Sequence, residues 1–91
     1  MTTSEHRLQF PAQFEQIEAA CEFVTQQAAS MGMDDDSVYH CRLSVEEICT
    51  NIIEHGYEGR TDGSIEIVCQ ISPDSFTIII IDDAPAFNPL N

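Results

Sequence analysis

The stretch Leu43-Ser44-Val45-Glu46-Glu47-Ile48-Cys49-Thr50-Asn51-Ile52-Ile53-Glu54-His55-Gly56-Tyr57 decides how the rest of the chain is read. Its apolar positions, extended backwards, run Val38, Cys41, Val45, Ile48, Ile52. These steps of three and four put side chains on one face of an α-helix. Beside that stripe Glu47, Asn51 and His55 stand four residues apart, which lines them up as a slowly drifting polar ridge. A carboxylate and an amide at the edge of a buried face lie where a pocket wall would run. Gly56 ends the helix and Asp34-Asp35-Asp36-Ser37 opens it. Carboxylates there complement the helix dipole, and one of them can cap a free N–H.

The segments around this helix read as its packing partners. Arg7-Leu8-Gln9-Phe10 alternates polar and apolar before Pro11 and predicts a short strand at a sheet edge. Phe14, Ile17, Cys21, Val24, Ala28 and Met31 predict a first helix, with Pro11 suited to its first turn and Gly32 to its stop. Glu58-Gly59-Arg60-Thr61-Asp62-Gly63 is a turn-rich connection. Ile65, Ile67, Cys69 and Ile71 alternate with Glu66, Val68 and Gln70, a strand with one buried and one mixed face. After the reversal Ser72-Pro73-Asp74-Ser75, the run Phe76–Ile81 is apolar on both faces. Such a strand belongs in a sheet interior with neighbours on both sides. The sequence supplies only one of them, so the reading expects a second copy or a swapped element on the other edge.

Ninety-one residues make one domain. Sixteen aspartates and glutamates stand against three arginines (Arg7, Arg42, Arg60) and no lysine, for a net charge of -13. No basic patch exists to displace phosphate counterions, so nucleic acid is excluded as a partner, and an anionic membrane with it. A basic protein surface would be attracted instead. The first residues lack the basic start and apolar run of a signal peptide, and the longest apolar run is Ile78–Ile81. Cys21, Cys41, Cys49 and Cys69 occupy inward positions without any C-x-x-C pair and read as buried free thiols. The expected location is the cytoplasm.

The chemistry lies in two places. On the ridge, the Asn51 amide oxygen is a hard, neutral ligand suited to magnesium, and the Glu47 carboxylate can take a proton from a hydroxyl attacking a phosphate. At the end of the apolar strand, Asp82 can accept a hydrogen bond from the exocyclic amine of a base, and Ala84 keeps the backbone close to it. Taken singly, the ridge also fits a solvated helix face, and Asp82 a strand end closed by Asx turns.

Together and in this order the two elements resemble a known family. Glu47-Ile48-Cys49-Thr50-Asn51-Ile52-Ile53-Glu54-His55-Gly56-Tyr57 is similar to the N-box of the GHKL, or histidine-kinase-like, ATPases. Thr before Asn and His-Gly-Tyr after it resemble the anti-sigma factor serine/threonine kinases. Ile81-Asp82-Asp83-Ala84-Pro85-Ala86-Phe87-Asn88-Pro89 looks like that subfamily's first glycine box, with Ala84 where the family has glycine. The resemblance implies an α+β fold, the two-layer α/β sandwich of these ATPases, over residues 1–91, with the N-box at 43–57 and the glycine-box-like loop at 81–89. It implies ATP and Mg2+ as cofactors. Asn51 would hold the metal, Glu47 would be the catalytic base, and Asp82, Ala84 and His55 would join Asn51 in cofactor binding. The implied partner is an anti-anti-sigma protein, the substrate of such kinases, or a sigma factor, and the implied assembly is a homodimer. The ATP lid, the second glycine-rich box and the last strands of the family pattern are expected to be lacking. The alternative expectation is therefore an inactive module that binds a regulatory partner or self-associates.

Overall fold

A three-stranded sheet is centred on β2, Ser64–Ser72, with β1, Ser4–Pro11, and β3, Ser75–Asp82, on its two sides. The computed structural model of the chain describes residues 3–56 and 63–83. Both pairings are antiparallel. β1 runs against β2 from Ser4 opposite Ile71 to Pro11 opposite Ser64, and β3 from Ser75 opposite Ser72 to Asp82 opposite Ile65. Between β1 and β2 the chain forms a 3-10 turn at Phe14–Gln16, then α1, Ile17–Ser30, and α2, Asp35–Asn51, which continues as a π-helical turn over Ile52–Gly56. Both helices cover one face of the sheet, so the fold is the expected two-layer α+β arrangement.

Each boundary has a local cause. Asp34 caps α2 by accepting the Ser37 backbone N–H at 2.7 Å, and that bond holds its carboxyl below the ordinary aspartate range. α1 stops in a Schellman arrangement: Met33 N–H donates to the Ala28 carbonyl and Gly32 N–H to that of Ala29. This requires the left-handed backbone of Gly32, at φ 87°. A Cβ added to Gly32 would meet no atom within 4 Å, so a substitution there costs only backbone strain. Gly32→Ala is expected to destabilise by about 1 kcal/mol and to lower the melting temperature by roughly 4–8 °C, read by thermal circular dichroism.

The core lies between the layers. Ile65, Ile67 and Cys69 of β2 meet Ala20, Cys21 and Val24 of α1 and Val45 and Cys49 of α2, all essentially sealed from solvent. Burial pushes the thiols of Cys49 and Cys69 up to about 11, so both stay protonated and unreactive at neutral pH, as buried free cysteines should.

Two expectations are corrected. The inward stripe of α1, expected to include Phe14, begins at Ile17, and Phe14 sits in the 3-10 turn and is 53 % exposed. The tighter turn rotates it off the face that Ile17 begins. On α2 the buried positions are Val45 and Cys49, while Ile48 is 45 % exposed. The docking of α1 on α2 turns the buried face towards Cys49. β3 has one neighbour, β2, among the described residues, as the sequence supplies only one. The mixed face of β2 carries Glu66 and Gln70, and between them Val68 is 2 % exposed, flanked across the sheet by Arg7 and Ile79.

Candidate functional site

The polar ridge of α2 forms as its spacing requires. Glu47 and Asn51 are exposed one turn apart, and together with Glu46 and Thr50 they line a hollow of about 340 Å3. Thr50 is the motif threonine before Asn51, and Glu46, which directly precedes Glu47, is the lining residue that no sequence motif marks. His55 falls in the π-helical turn, which is wider than the α-helix before it and breaks the four-residue row. Its side chain is 77 % exposed, with Nε2 3.7 Å from the Glu54 carboxylate.

A second hollow, about 360 Å3, lies between α2 and β3 and is lined by Ser44, Val45, Ile48, Ile78 and Ile80. This explains the exposure of Ile48. It is the wall of a trough rather than a core residue, and the sheet side of that trough is the helix-facing row of β3. Strand alternation carries the row on from Ile78 and Ile80 to Asp82. The Asp82 carboxylate therefore belongs to the same sheet face as the trough, one repeat beyond Ile80, while Asn51 is one turn beyond Ile48. The base of the following loop is tied down by Asp83, whose carboxylate accepts the Ser64 backbone N–H at 3.0 Å. Ala84 and the rest of the glycine-box-like loop, like Tyr57 and the 58–62 connection, lie outside the described residues.

An apolar trough beside a hollow lined by Glu47 and Asn51 suits a flat, partly apolar group such as the base of a nucleotide. The phosphate side is less well provided. Among the described residues, Arg7 is engaged with Glu5 and Glu66, and Arg42 with Glu18. No group of three His, Cys, Asp or Glu among them is placed to hold a metal ion. No described helix is long and apolar enough to cross a membrane.

Comparison with known proteins agrees with this geometry. The model of the histidine kinase-like ATPase domain matches residues 10–91. An anti-sigma F factor of Clostridium beijerinckii is 45 % identical over 47 residues, 52 % of this chain and 33 % of the relative. An anti-sigma F factor of Clostridium novyi is 35 % identical over 65 residues, 71 % of this chain and 43 % of the relative. The serine-protein kinase RsbW of Bacillus subtilis is 28 % identical over 61 residues, 67 % of this chain and 38 % of the relative. The chain thus spans between a third and about two-fifths of the length of these relatives. With the family model covering the helix ridge, the trough and the strand that ends at Asp82, the chain belongs to the histidine kinase-like ATPase family.

Proposed function

We propose that this chain forms the adenine- and magnesium-side wall of an ATP site in an anti-sigma regulatory serine kinase. The observation that carries the reading is the adjacency of two hollows along α2: Glu47 and Asn51 line one, Ile48, Ile78 and Ile80 the other, and Asp82 continues the helix-facing row of β3. Bound ATP would supply the phosphoryl group, with Mg2+ offsetting its charge. Ile48, Ile78 and Ile80 give a flat apolar seat for a base, and Asp82 accepts a hydrogen bond from its exocyclic amine. Asn51 offers its amide oxygen to the metal. Glu47, exposed beside it, is placed to take the proton of an incoming serine hydroxyl. The relatives' names, anti-sigma factor and serine-protein kinase, support a sigma factor as partner and a protein serine as acceptor; an anti-anti-sigma protein as that acceptor and the cytoplasm as location are part of the proposal.

The test is a calorimetric titration of the chain with ATP and with GTP, each with and without magnesium. Binding is expected to be weak, because no described cation faces the phosphates. Asp82→Asn should erase the preference for ATP over GTP, since an amide can donate to the guanine carbonyl as readily as it accepts from the adenine amine. Asn51→Ala should remove the dependence on magnesium. An ATP preference that survives Asp82→Asn sinks this assignment of the base-reading residue.

A second reading, an inactive module that docks a partner or pairs with its own copy, is favoured by one observation. β3 carries no charge from Ser75 to Ile81, and among the described residues one of its edges has no neighbouring strand. Such an edge is a template for strand addition. No nucleotide binding at millimolar concentration would favour this reading.

A further inference from the structure

The ridge of α2 does not begin at Glu47. Continued backwards by the same four-residue step it passes through Leu43 and Tyr39, which are 39 % and 60 % exposed. Each step rises about 6 Å along the helix and drifts about 40° around it. The row therefore winds across the helix surface. Asn51, at one end, is on the trough side; Tyr39 and Leu43, at the other, are on the solvent face; Glu47 stands between them. The exposed apolar pair is set among acidic groups. Asp36 is one turn before Tyr39, and Glu46 one turn after Leu43.

The charge around this face is one-sided. From Asp34 to Asn51 the chain carries five carboxylates (Asp34, Asp35, Asp36, Glu46 and Glu47) and a single arginine, Arg42, which is bonded to Glu18 of α1. Asp35, Asp36 and Glu47 have no ion pair among the described residues. A second copy of this chain would bring the same carboxylates against this face, which like-charge repulsion opposes. A protein segment with apolar side chains flanked by lysine or arginine meets both features: it covers Tyr39 and Leu43 and pairs with the carboxylates around them.

We infer that Tyr39 and Leu43, framed by Asp36 and Glu46, form the docking face for a cationic, apolar-studded segment of a protein partner, next to Glu47 on the flank opposite the trough. The face stands on exposure and charge alone. It rests on the kinase reading only in making that partner the phosphate acceptor. A segment seated on Leu43 lies one helical turn from the Glu47 carboxylate. It would reach that carboxylate from the solvent side, while the nucleotide occupies the other flank.

The probe is a synthetic amphipathic helical peptide of about 16 residues, leucine on one face and lysine on the other, beside a counterpart with glutamate for lysine. Both are titrated into the 91-residue chain and followed by amide chemical shifts and calorimetry. The lysine peptide should perturb residues 36–47, and the glutamate peptide should not bind. The double variant Tyr39→Ser/Leu43→Ser should weaken the lysine peptide about tenfold or more. Because both residues are exposed, its melting temperature should stay close to that of the parent chain. Asp36→Lys should weaken the lysine peptide as well. Binding of the double variant within about twofold of the parent would overturn the inference, since charge alone would then hold the peptide. Shifts centred on Ile48, Ile78 and Ile80, or on the outer sheet face, would overturn it too. A Mg-ATP titration of the same variants keeps the two readings apart. Peptide binding at Tyr39 and Leu43 with no nucleotide binding sustains the docking face while removing the kinase reading.

Discussion

Glu47→Ala is expected to cut phosphoryl transfer by two to four orders of magnitude while leaving Mg-ATP affinity within about twofold, because a positioned general base contributes on that scale. ADP release, measured with and without a protein acceptor, gives the rate, and calorimetry gives the affinity. The separation follows from the position of Glu47. It shares the hollow with Asn51 but belongs to the helix surface rather than to the Ile48–Ile78–Ile80 seat. Removing its carboxylate deprives the attacking hydroxyl of its proton acceptor and leaves the seat for the base intact. A matching fall in affinity would make Glu47 a ligand-binding residue, and undiminished turnover would remove it from the chemistry.

Ile67→Ala is expected to have the largest effect on stability, about 2–5 kcal/mol. Ile67 is on the central strand, fully sealed, and paired with Leu8 on one side and Ile80 on the other. Both neighbouring strands and the helix layer close around it, so the cavity left by truncation cannot collapse from any direction. Against a domain stability of about 5–15 kcal/mol, the variant should lose a large share of it, read as a clearly lowered midpoint in denaturant titration followed by circular dichroism. Ile81→Ala, on the same sheet but 47 % exposed, should cost well under 1 kcal/mol. Equal effects from the two would mean that the layers do not meet as described.

The contrast between Ile67 and Ile81 also marks where the sequence was legible. Both are isoleucines in apolar runs, and nothing in their immediate neighbours tells them apart. Local physics settled the elements themselves. The acidic cap at Asp34, the glycine stop at Gly32 and the alternation through Ile65, Ile67 and Cys69 fixed where helices and strands fall. The polar spacing of Glu47 and Asn51 survived intact into the hollow they share. The family likeness could be read from the same residues, because the motif residues are contiguous in the chain.

Other features depended on how the elements docked. Cys49 is buried as expected while Ile48 is left out of the core, because a helix presents a broad apolar arc and only contact with α1 selects which part of it is covered. Phe14 fell outside the first helix because a 3-10 turn precedes it. The pairing of β1 with β2 was likewise decided by docking, since strand composition reports burial but not the order of strands.

By itself, then, the sequence determined the element order, the caps and the residue types of the site. Each of these is set by interactions within a turn or two of chain. The tertiary structure alone decided that the row Ile78, Ile80, Asp82 faces the helices, that Ile48 lines a trough, and that Tyr39 and Leu43 are exposed beside Glu47. The physical reason is that a side chain's direction follows from local backbone geometry, but what lies opposite it depends on long-range packing. Here the packing of α1 on α2 and the facing of α2 and β3 across the trough decide it, arrangements that the local pattern leaves open.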